Sequence, residues 1–503
     1  MFTSSSPLLV LEYFRVPCTV DASTLPAAVD LPETPTWPRG WDRLSASGSS
    51  GPVLFWPGRS GEEVELARIR RFRLGESVLH ARLVDDDVLE TALARLDAGW
   101  SRGDALLDAA GNRIGSVWRA VDGSVLLPFD PDEVVTTFWS ERYAQVGQHG
   151  AGGRARRTVM SVYYGVRPLL PRRVQIAARR LYSRVQGRQE FPRWPLETAL
   201  HDFFDRMLGW ACQLAGRPVP WIALWPAGFD WALVLTHDVE TADGVRLIPA
   251  LRSIEKRTGN RSSWNLVPGR YQVDDALVSE LQEAGFEVGL HGLYHDGRDL
   301  EPGELERRLP QMRRWAGRWG AVGFRSPATH RAWDTMAGLP FAYDSSSPDT
   351  DPYEPQPGGC CSLLPFHNRG VVELPITLPQ DHTLFVILKA RDASAWIEKT
   401  ARIRERGGMA LIITHPDYVG QGPIAAAYEQ LLTSLADDDG VWRALPAAVA
   451  DWWARRAASS LVADDSGWTV TGPAAEQATI SWTPAGGTAD QGSRVLPRTT
   501  TRS

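Results

Sequence analysis

Short apolar runs and longer stretches with helical spacing alternate through the middle of the chain, from residue 228 to about 458. An apolar run at 232–235 is followed by helical spacing at 245–258, and this order repeats. Further strands are predicted at 262–267, 287–290, 322–325, 341–343, 371–374 and 409–414, and further helices at 274–284, 302–319, 394–406 and 446–458. Because alternating strands and helices form parallel sheets with crossover helices, the pattern predicts an α/β fold with a barrel of fewer than eight strand–helix units.

The first 150 residues carry a different pattern, in which strand-like runs predominate. An apolar run at 8–11 predicts a strand, and 114–127 predicts a hairpin that turns at Asp122-Gly123. A helical stretch follows at 130–143. Residues 1–150 are therefore predicted to form an N-terminal α+β accessory domain. Its role is that of a scaffold or, alternatively, of a module for specificity or partner docking.

A helical, basic connector is predicted between this domain and the barrel, over residues 151–227. Ten arginines lie between Arg154 and Arg188 without an acidic residue among them. From Arg172 onward the apolar residues keep helical spacing, which predicts a helix with one apolar and one basic face. Such a basic face is typical of a solvated helix or of one docked on an acidic surface. An anionic glycan or a membrane surface is the alternative partner.

After residue 458 the pattern returns to short strands. Runs at 467–471 and 479–482 predict a small β appendage, and residues 487–503 are predicted to be disordered. The chain is thus divided into four predicted segments, namely 1–150, 151–227, 228–458 and 459–503.

Composition argues against several classes of protein. The chain has 503 residues, of which 43% are hydrophobic, so it is long enough for several globular domains. A net charge of -6 gives no basis for a general affinity for nucleic acid. Four cysteines without a Cys-x-x-Cys spacing argue against a disulfide framework and against a zinc ribbon.

No targeting or membrane-spanning segment is recognisable in the sequence. The N-terminal residues lack a basic n-region, and no apolar run reaches a length of about 18 residues. We therefore expect a cytoplasmic protein without a membrane span. The sequence leaves the oligomeric state open.

The predicted barrel strands deliver reactive side chains at four of their C-terminal ends. These groups are Asp238 with Glu240, His291 with His295, Arg325, and His415. In α/β barrels and in open α/β sheets the active site lies at this end of the strands. We therefore expect these side chains to meet at one site.

Two imidazoles and two carboxylates suit a divalent metal, with zinc as the first choice. The spacing His291-x3-His295 puts both imidazoles on one face if the segment forms a helical turn. Zinc commonly binds two such histidines and one carboxylate, and its open position takes a water that ionises near neutral pH. Asp238 and Glu240 are two residues apart and point the same way along an extended strand. One can therefore bind the metal while the other acts as general base, with a distant histidine as general acid.

The ordered set of strand-end motifs resembles the polysaccharide deacetylase superfamily (NodB-like, carbohydrate esterase family 4). The family's Thr-Phe-Asp-Asp motif is similar to Thr236-His237-Asp238-Val239-Glu240, and its paired-histidine motif is similar to His291-Gly-Leu-Tyr-His295. The three later motifs are similar to Arg325-Ser326-Pro327, to Tyr343-Asp344-Ser345-Ser346-Ser347-Pro348 and to Leu411-Ile-Ile-Thr-His415-Pro416. All five occur in the family's order, and the resemblance covers residues 228–455, under half of the chain.

The resemblance implies a distorted (β/α)7-type barrel and the metal-dependent removal of N- or O-acetyl groups from sugars or glycans. It also implies a role for each matching residue. Asp238 would be the general base, Glu240 a metal ligand with His291 and His295, Arg325 the residue that orients the base, and His415 the general acid.

Two departures from the family pattern leave alternatives open. The adjacent Asp-Asp pair of the family is here Asp-x-Glu, so Asp238 and Glu240 can exchange the roles of base and ligand. His237 replaces the usual aromatic residue and is a further candidate for the site. The acid that supports the general-acid histidine is Asp344 or, as second choice, Asp417.

The predicted function is a metal-dependent hydrolase of carbon–nitrogen bonds other than peptide bonds, of the polysaccharide deacetylase type. Its partner would be an acetylated sugar or glycan, and the predicted location favours a cytoplasmic precursor such as a sugar nucleotide or a glycan under assembly. One alternative is a related C–N hydrolase that acts on small amides. Another is a catalytically silent glycan-binding barrel.

Overall fold

The computed structural model describes residues 1–21, 23, 40–48, 51–58, 69–94, 99–146, 180, 183, 186–187, 190–419, 423–465 and 467–484. The chain divides into two compact units. The first draws on Met1–Tyr163, Thr198–Ala223 and Arg456–Pro497, and the second on Tyr164–Glu197, Leu224–Arg455 and Arg498–Ser503. Most of the predicted basic helix after Arg172, and the predicted disordered tail, lie outside the described residues. The division into four consecutive segments remains a prediction.

The elements are numbered in chain order over both units. The strands are β1 (Phe2–Ser4), β2 (Cys18–Val20), β3 (Trp41–Ala46), β4 (Val53–Pro57), β5 (Arg70–Leu74), β6 (Ser77–Ala81), β7 (Ser101–Leu107), β8 (Arg113–Arg119), β9 (Val125–Leu126), β10 (Pro220–Ile222), β11 (Trp231–Val239), β12 (Ser263–Leu266), β13 (Glu287–Leu290), β14 (Gly323–Phe324), β15 (Tyr343–Asp344), β16 (Phe366–Asn368), β17 (Val371–Glu373), β18 (Met409–Thr414), β19 (Val441–Arg443), β20 (Ser460–Asp464), β21 (Gly467–Thr471) and β22 (Ile480–Trp482). The helices are α1 (Leu9–Phe14), α2 (Asp86–Leu93), α3 (Pro131–Trp139), α4 (Ala199–Ala215), α5 (Ala242–Arg257), α6 (Asp275–Glu283), α7 (Glu304–Trp319), α8 (Trp333–Met336), α9 (Ser394–Arg404), α10 (Ile424–Ser434) and α11 (Pro446–Ala457).

A nine-stranded mixed sheet dominates the first unit. Its strand order is β2-β1-β3-β4-β9-β8-β7-β5-β6. The pairs β1–β2 and β4–β9 are parallel, and the other neighbours pair antiparallel. The predicted hairpin is present, because β8 and β9 pair antiparallel and the N–H of Gly123 donates to the carbonyl of Ala120 at the turn. This unit also holds the antiparallel pairs β10–β22 and β20–β21.

One strand predicted in this unit is a helix instead. Residues 8–11 were predicted to be extended, but Leu9–Phe14 form α1 and bury Val10, Leu11 and Phe14. The carboxylate of Asp132 accepts the N–H of Leu9 at 2.9 Å and so satisfies a free donor in the first turn. A short apolar run fits a strand and a buried helix equally well, and the carboxylate that favours the helix is far away in the sequence.

The second unit contains the predicted α/β fold. Its sheet runs in the order β16-β17-β15-β14-β13-β12-β11-β18, and β19 also pairs with β11. The pairs are parallel, apart from β16–β17. Each strand predicted between 232 and 414 is present with slightly shifted ends, and so is each predicted helix of this region. The short β16, β19 and α8, and the helix α10, were not predicted.

Hydrogen bonds connect the two opposite edges of this sheet. The N–H groups of Thr377 and Leu378, just after β17, donate to the carbonyl of Leu411 in β18 at 3.2 and 2.9 Å. The hydroxyl of Thr377 also donates to the carbonyl of Met409 at 2.6 Å. The chain after β17 therefore lies beside β18, and the parallel sheet is curled in the manner of a distorted barrel.

Strand β11 has more pairing partners than any other described strand of the second unit. It pairs with β12, β18 and β19, and all nine of its residues are buried. Its odd-numbered apolar residues, Trp231, Leu233, Leu235 and Val239, belong to the apolar core of the unit. Because successive side chains of a strand alternate between faces, Thr236 and Asp238 point to the opposite face from that core. The strand thus separates an apolar layer from a polar one.

Two expectations from composition concern the whole chain. All four cysteines are free thiols, so the structure contains no disulfide framework. Within the described residues, the helices are too short or too polar to cross a membrane.

Candidate active site

The parallel strands of the second unit bring the predicted side chains to one edge of the sheet. Strands β11, β13, β14 and β18 all run in the same direction, and each ends next to one of the predicted reactive groups. The residues that meet there are Asp238, Glu240, His291, His295, Arg325 and His415. This convergence follows from the topology, since parallel neighbours end at the same edge.

Three of these residues form a cluster that could hold a metal ion. One ligand atom from each of Glu240, His291 and His295 lies within 4.8 Å of the others. The Nε2 atom of His295 is 3.0 Å from Oε1 of Glu240. Two imidazoles and one carboxylate are a common protein ligand set for zinc, so the donor set fits a divalent metal.

The two histidines meet without the predicted helical turn. Residues 291–297 form an irregular loop, and His295 has a left-handed backbone with φ 56°. This turn of the chain brings the two imidazole rings to a centroid distance of 4.9 Å. His291 and His295 therefore meet because of a loop conformation, which the sequence pattern did not indicate.

His291 is oriented by the backbone of the neighbouring strand end. Its Nδ1–H donates to the carbonyl of Arg325 at 3.1 Å. Its Nε2 is buried and has no hydrogen-bond partner among the described residues. Burial lowers the pKa of His291 and the charge of Asp238 raises it. Burial has the larger effect, so the pKa is about 4 and the ring is neutral at physiological pH. A neutral, buried imidazole with a free Nε2 lone pair is suited to bind a metal.

Asp238 is held as an anion beside the cluster. Its Oδ2 lies 3.9 Å from Nε2 of His291, and its Oδ1 accepts from Nδ2 of Asn265 at 2.8 Å. Burial raises the pKa of this carboxyl, but the charges of Arg325 and the nearby histidines lower it to about 2 overall. Asp238 is therefore ionised and able to accept a proton.

Asn265 is a site residue that the sequence analysis missed. It lies in β12, where it pairs with Asp238 in the register, and its amide donates to that carboxylate. Its side chain needs the glycine at 289, because a Cβ there would come within 2.2 Å of the Asn265 Oδ1. The signal was present in the sequence, since Asn265 is a polar residue inside a predicted buried strand.

Arg325 is buried to 99% and ties three strand ends together. Its two Nη atoms each lie 3.2 Å from the hydroxyl of Thr236, and one of them donates to Ser345 at 2.8 Å. Its Nη1 is 3.4 Å from Oδ1 of Asp238. The guanidinium thus lies where it can hold the Asp238 carboxylate in place.

His415 lies on the other side of the cluster, paired with a buried acid. Its Nδ1 is 2.6 Å from Oδ1 of Asp381, whose other oxygen accepts the backbone N–H of His415 at 2.7 Å. Its Nε2 lies 3.9 Å from Oε1 of Glu240. Burial alone would lower the pKa of His415, but the nearby acids, Asp381 above all, together outweigh burial and raise this pKa to about 10. His415 is therefore protonated at neutral pH and can act as an acid.

The acid next to His415 differs from the two that the sequence suggested. Asp417 accepts the N–H of Glu240 at 3.0 Å and the hydroxyl of Thr241, so it supports the start of α5. Asp344 accepts from the Ser346 hydroxyl at 2.8 Å and shares a hydrogen bond with the buried carboxyl of Glu373. Asp381 follows β17 by several residues and caps the N-terminus of a π-helical turn (His382–Ile387), and no sequence pattern marks it.

Burial raises the pKa of both carboxyls in the Asp344–Glu373 pair, and the charge of Asp344 raises that of Glu373 further. Two adjacent buried carboxyls hold a proton between them more easily than two charges. Glu373 accepts the backbone N–H groups of Ser346 and Ser347, in the loop after β15. Asp344 therefore supports the loop after β15 rather than His415.

We expect Asp381→Asn to lower the pKa of His415 from about 10 towards 6.5, its ordinary value. The carboxylate raises this pKa by favouring the imidazolium, and without its charge the opposing effect of burial is offset only by the charges of Glu240 and Asp238. Histidine-selective NMR titration of the metal-free protein measures the change directly. The wild-type ring should keep its proton throughout the neutral range and lose it near pH 10.

Asp417→Asn provides the matched control for this titration. It removes the same charge from a carboxylate in the same region, but Asp417 contacts Glu240 and Thr241 and not the His415 ring. The titration of His415 should therefore stay near that of the wild type. An unchanged His415 pKa in Asp381→Asn would show that the 2.6 Å contact does not determine its protonation.

His237 lies on the opposite face of β11, away from the cluster. Its Nδ1 is 2.7 Å from the hydroxyl of Thr414, and its Nε2 is 2.7 Å from Oε1 of Glu255. Glu255 also accepts from Tyr428 at 2.7 Å, and the His237 ring stacks on Trp264 at a centroid distance of 4.1 Å. The alternation of side chains along a strand explains this placement, since His237 and Asp238 are adjacent residues.

Comparisons with known proteins give a limited likeness. No protein-family model matches the chain, and no curated protein matches its sequence. A protein from Mycobacterium smegmatis assigned as a polysaccharide deacetylase is 19% identical, with a TM-score of 0.36 over 45% of this chain and 91% of that one. The allantoinase PuuE is 16% identical, with a TM-score of 0.37 over 46% of this chain and 93% of that one.

The peptidoglycan deacetylase PdaC from Bacillus subtilis shows a similar degree of likeness. It is 12% identical, with a TM-score of 0.30 over 44% of this chain and 90% of that one. These TM-scores and identities are low, so a functional assignment has to come from the chemistry of the site itself.

Proposed function

We propose that the protein is a metal-dependent hydrolase that removes acetyl groups from N- or O-acetylated sugars or glycans. The observation that carries this proposal is the arrangement around the Glu240, His291 and His295 cluster. An ionised carboxylate, Asp238, lies on one side of it and an imidazolium, His415, on the other. Hydrolysis of an amide or an ester needs both a proton acceptor and a proton donor at the reacting carbonyl.

Glu240, His291 and His295 would hold the metal in this proposal. Zinc is the first candidate because its common sites combine imidazoles with one carboxylate. When bound, such a metal supplies a Lewis acid that polarises water and the substrate carbonyl. The free Nε2 of His291 and the buried position of its ring support this assignment.

Asp238 would be the general base. Its carboxylate takes a proton from the attacking water, while Arg325 and Asn265 hold it in place from the far side. These contacts leave Oδ2 directed towards His291 and the cluster. The low pKa of Asp238 keeps it ionised over the whole physiological range, although a stronger base would accept the proton more readily.

His415 would be the general acid. Its Nδ1 is engaged by Asp381, so its Nε2–H faces the cluster and can be donated to the leaving nitrogen or oxygen. Protonation of the leaving group lets an amine or a hydroxyl depart as a neutral molecule. Asp381 acts through His415 and is therefore a positioning residue.

The substrate in this proposal is an acetylated sugar inside the cell, such as a sugar nucleotide or a glycan under assembly. The test is acetate release from N-acetylglucosamine, its oligomers and O-acetylated xylo-oligosaccharides, measured with zinc-loaded protein. Release that stops with a chelator and returns with zinc supports the proposal. Binding of these sugars without acetate release would indicate a silent glycan-binding barrel, and turnover of small cyclic amides alone would indicate the other C–N hydrolase.

A further inference from the structure

We propose that Arg270 binds an anionic group of the substrate, so that the sugar carries a carboxylate or a phosphate close to its acetyl group. This inference rests on the proposed function and narrows its substrate class. It is carried by three observations, which are the position of Arg270, the way its loop is anchored, and the absence of an acidic partner.

The loop that carries Arg270 is anchored on both sides of this residue. The N–H of Gly269 donates to the carbonyl of Leu293 at 2.8 Å, next to the paired-histidine segment. On the other side, the hydroxyl of Tyr271 donates to the carbonyl of Val239 at 2.6 Å and accepts the N–H of Val267 at 3.1 Å. Arg270 therefore projects from a fixed position although its side chain is exposed.

The loop that carries Arg270 requires a glycine at position 269. A Cβ at position 269 would come within 2.4 Å of the Tyr294 ring and within 2.5 Å of the Leu293 carbonyl. The loop can only approach the paired-histidine segment this closely because residue 269 has no side chain. The close approach puts the next residue, Arg270, at the edge of the cluster.

The guanidinium of Arg270 contacts a residue of the cluster directly. Its Nη1 is 2.6 Å from Nδ1 of His295, whose Nε2 is 3.0 Å from Oε1 of Glu240. Among the described residues no carboxylate lies within ion-pair distance of Arg270. By contrast, Arg298 and Arg308 in the same region each pair with at least two acids. Arg270 thus places an unpaired positive charge at the mouth of the site.

The hydrogen bond between Arg270 and Nδ1 of His295 is lost when the His295 ring binds a metal. A neutral imidazole that binds a metal through Nε2 carries its single hydrogen on Nδ1. An arginine has only donors, so it cannot form a hydrogen bond to an N–H group. Arg270 is then free to turn its donors towards the substrate, and its charge stays within reach of the reacting acetyl group.

The guanidinium of Arg270 is suited to bind an anionic group of a substrate. It offers paired donors that match the oxygens of a carboxylate or a phosphate. Arg270 therefore favours substrates that carry such a group.

The experiment compares acetate release from three sugars that differ in one substituent. N-acetylglucosamine is neutral, N-acetylmuramic acid adds a carboxylate, and N-acetylglucosamine 1-phosphate adds a phosphate. We expect the wild type to have a higher kcat/KM for at least one anionic sugar than for the neutral one. Arg270→Met should reduce kcat/KM for that sugar by about tenfold to a hundredfold and leave the neutral sugar within about threefold.

Two further variants separate charge recognition from a structural effect. Arg270→Lys keeps the charge without the paired donors and should recover part of the lost preference. Arg318→Met removes the same charge from the outer helix α7, where Arg318 pairs with Asp275, and should leave the preference unchanged. The arm with the larger loss, carboxylate or phosphate, identifies the anion.

Two outcomes would overturn the inference while the proposed function stands. One is a wild type that prefers the neutral sugar, and the other is an equal loss for all three sugars in Arg270→Met. If none of the sugars is deacetylated, the proposed function fails. The inference about Arg270 is then tested by calorimetric binding of the same three sugars. It stands if the wild type binds an anionic sugar more tightly than the neutral one and if Arg270→Met removes that preference.

Discussion

Asp238→Asn is expected to reduce acetate release by about a thousandfold or more while the protein still binds its metal. Asparagine has nearly the same shape as aspartate, and it can still accept the hydrogen bonds from Asn265 and Arg325. It cannot accept a proton from water at neutral pH. The loss of activity would therefore report on proton transfer and not on a change of structure.

The measurement combines kcat/KM for acetate release with the metal content of the same preparation. Asp275→Asn is the matched control, since it removes a carboxylate charge from the exposed start of α6 and should retain full activity.

Glu240→Gln should differ from Asp238→Asn in its metal content, because it should lose the metal as well as the activity. If instead Asp238→Asn loses the metal and Glu240→Gln keeps it, the two residues have exchanged the roles of base and ligand. A variant Asp238→Asn with near wild-type activity would contradict both assignments.

His291→Ala is expected to remove the metal altogether. The wild type, purified without added metal, should contain about one divalent ion per chain, and the variant should contain almost none. The backbone carbonyl of Arg325 orients the His291 ring, so Nε2 is presented to the cluster at no further cost in side-chain freedom. A preorganised ligand of this kind contributes strongly to affinity, and its removal leaves one imidazole and one carboxylate.

Elemental analysis by mass spectrometry gives the metal content of both proteins. His330→Ala is the matched control, because this half-buried histidine lies in the loop after β14 and is not part of the ligand cluster. It should bind metal as the wild type does. If the wild type takes up no divalent ion even when zinc is supplied, the mechanism proposed above is wrong. The Asp238 and His415 pair would then have to act on water alone.

The local order of residues was sufficient to predict the α/β unit and most of its reactive groups. Buried parallel strands appear as short apolar runs, and polar residues at their ends are easy to recognise because they interrupt that apolar character. Asp238, His291 and His415 each follow or end such a run. Since parallel strands finish at the same edge, their meeting could be predicted without coordinates.

The partners of these groups could not be predicted in the same way. Asp381 is 34 residues before His415, and Asn265 is 27 residues after Asp238, with no local pattern that joins either pair. Their contacts depend on how the chain after β17 curls against β18 and on how β12 pairs with β11. The sequence suggested Asp344 and Asp417 because they lie near motifs, whereas the fold brings Asp381 to the imidazole.

Residue order therefore determined which chemical groups the second unit offers and at which end of its strands they lie, because strand periodicity and parallel pairing are local rules. Only the tertiary structure decided which partner sets the protonation of each group, and that α1 is a helix. Those outcomes depend on contacts between residues far apart in the chain, such as Asp381 with His415 and Asp132 with Leu9. A hydrogen bond or an ion pair is formed by proximity in space, which the spacing along the sequence does not record.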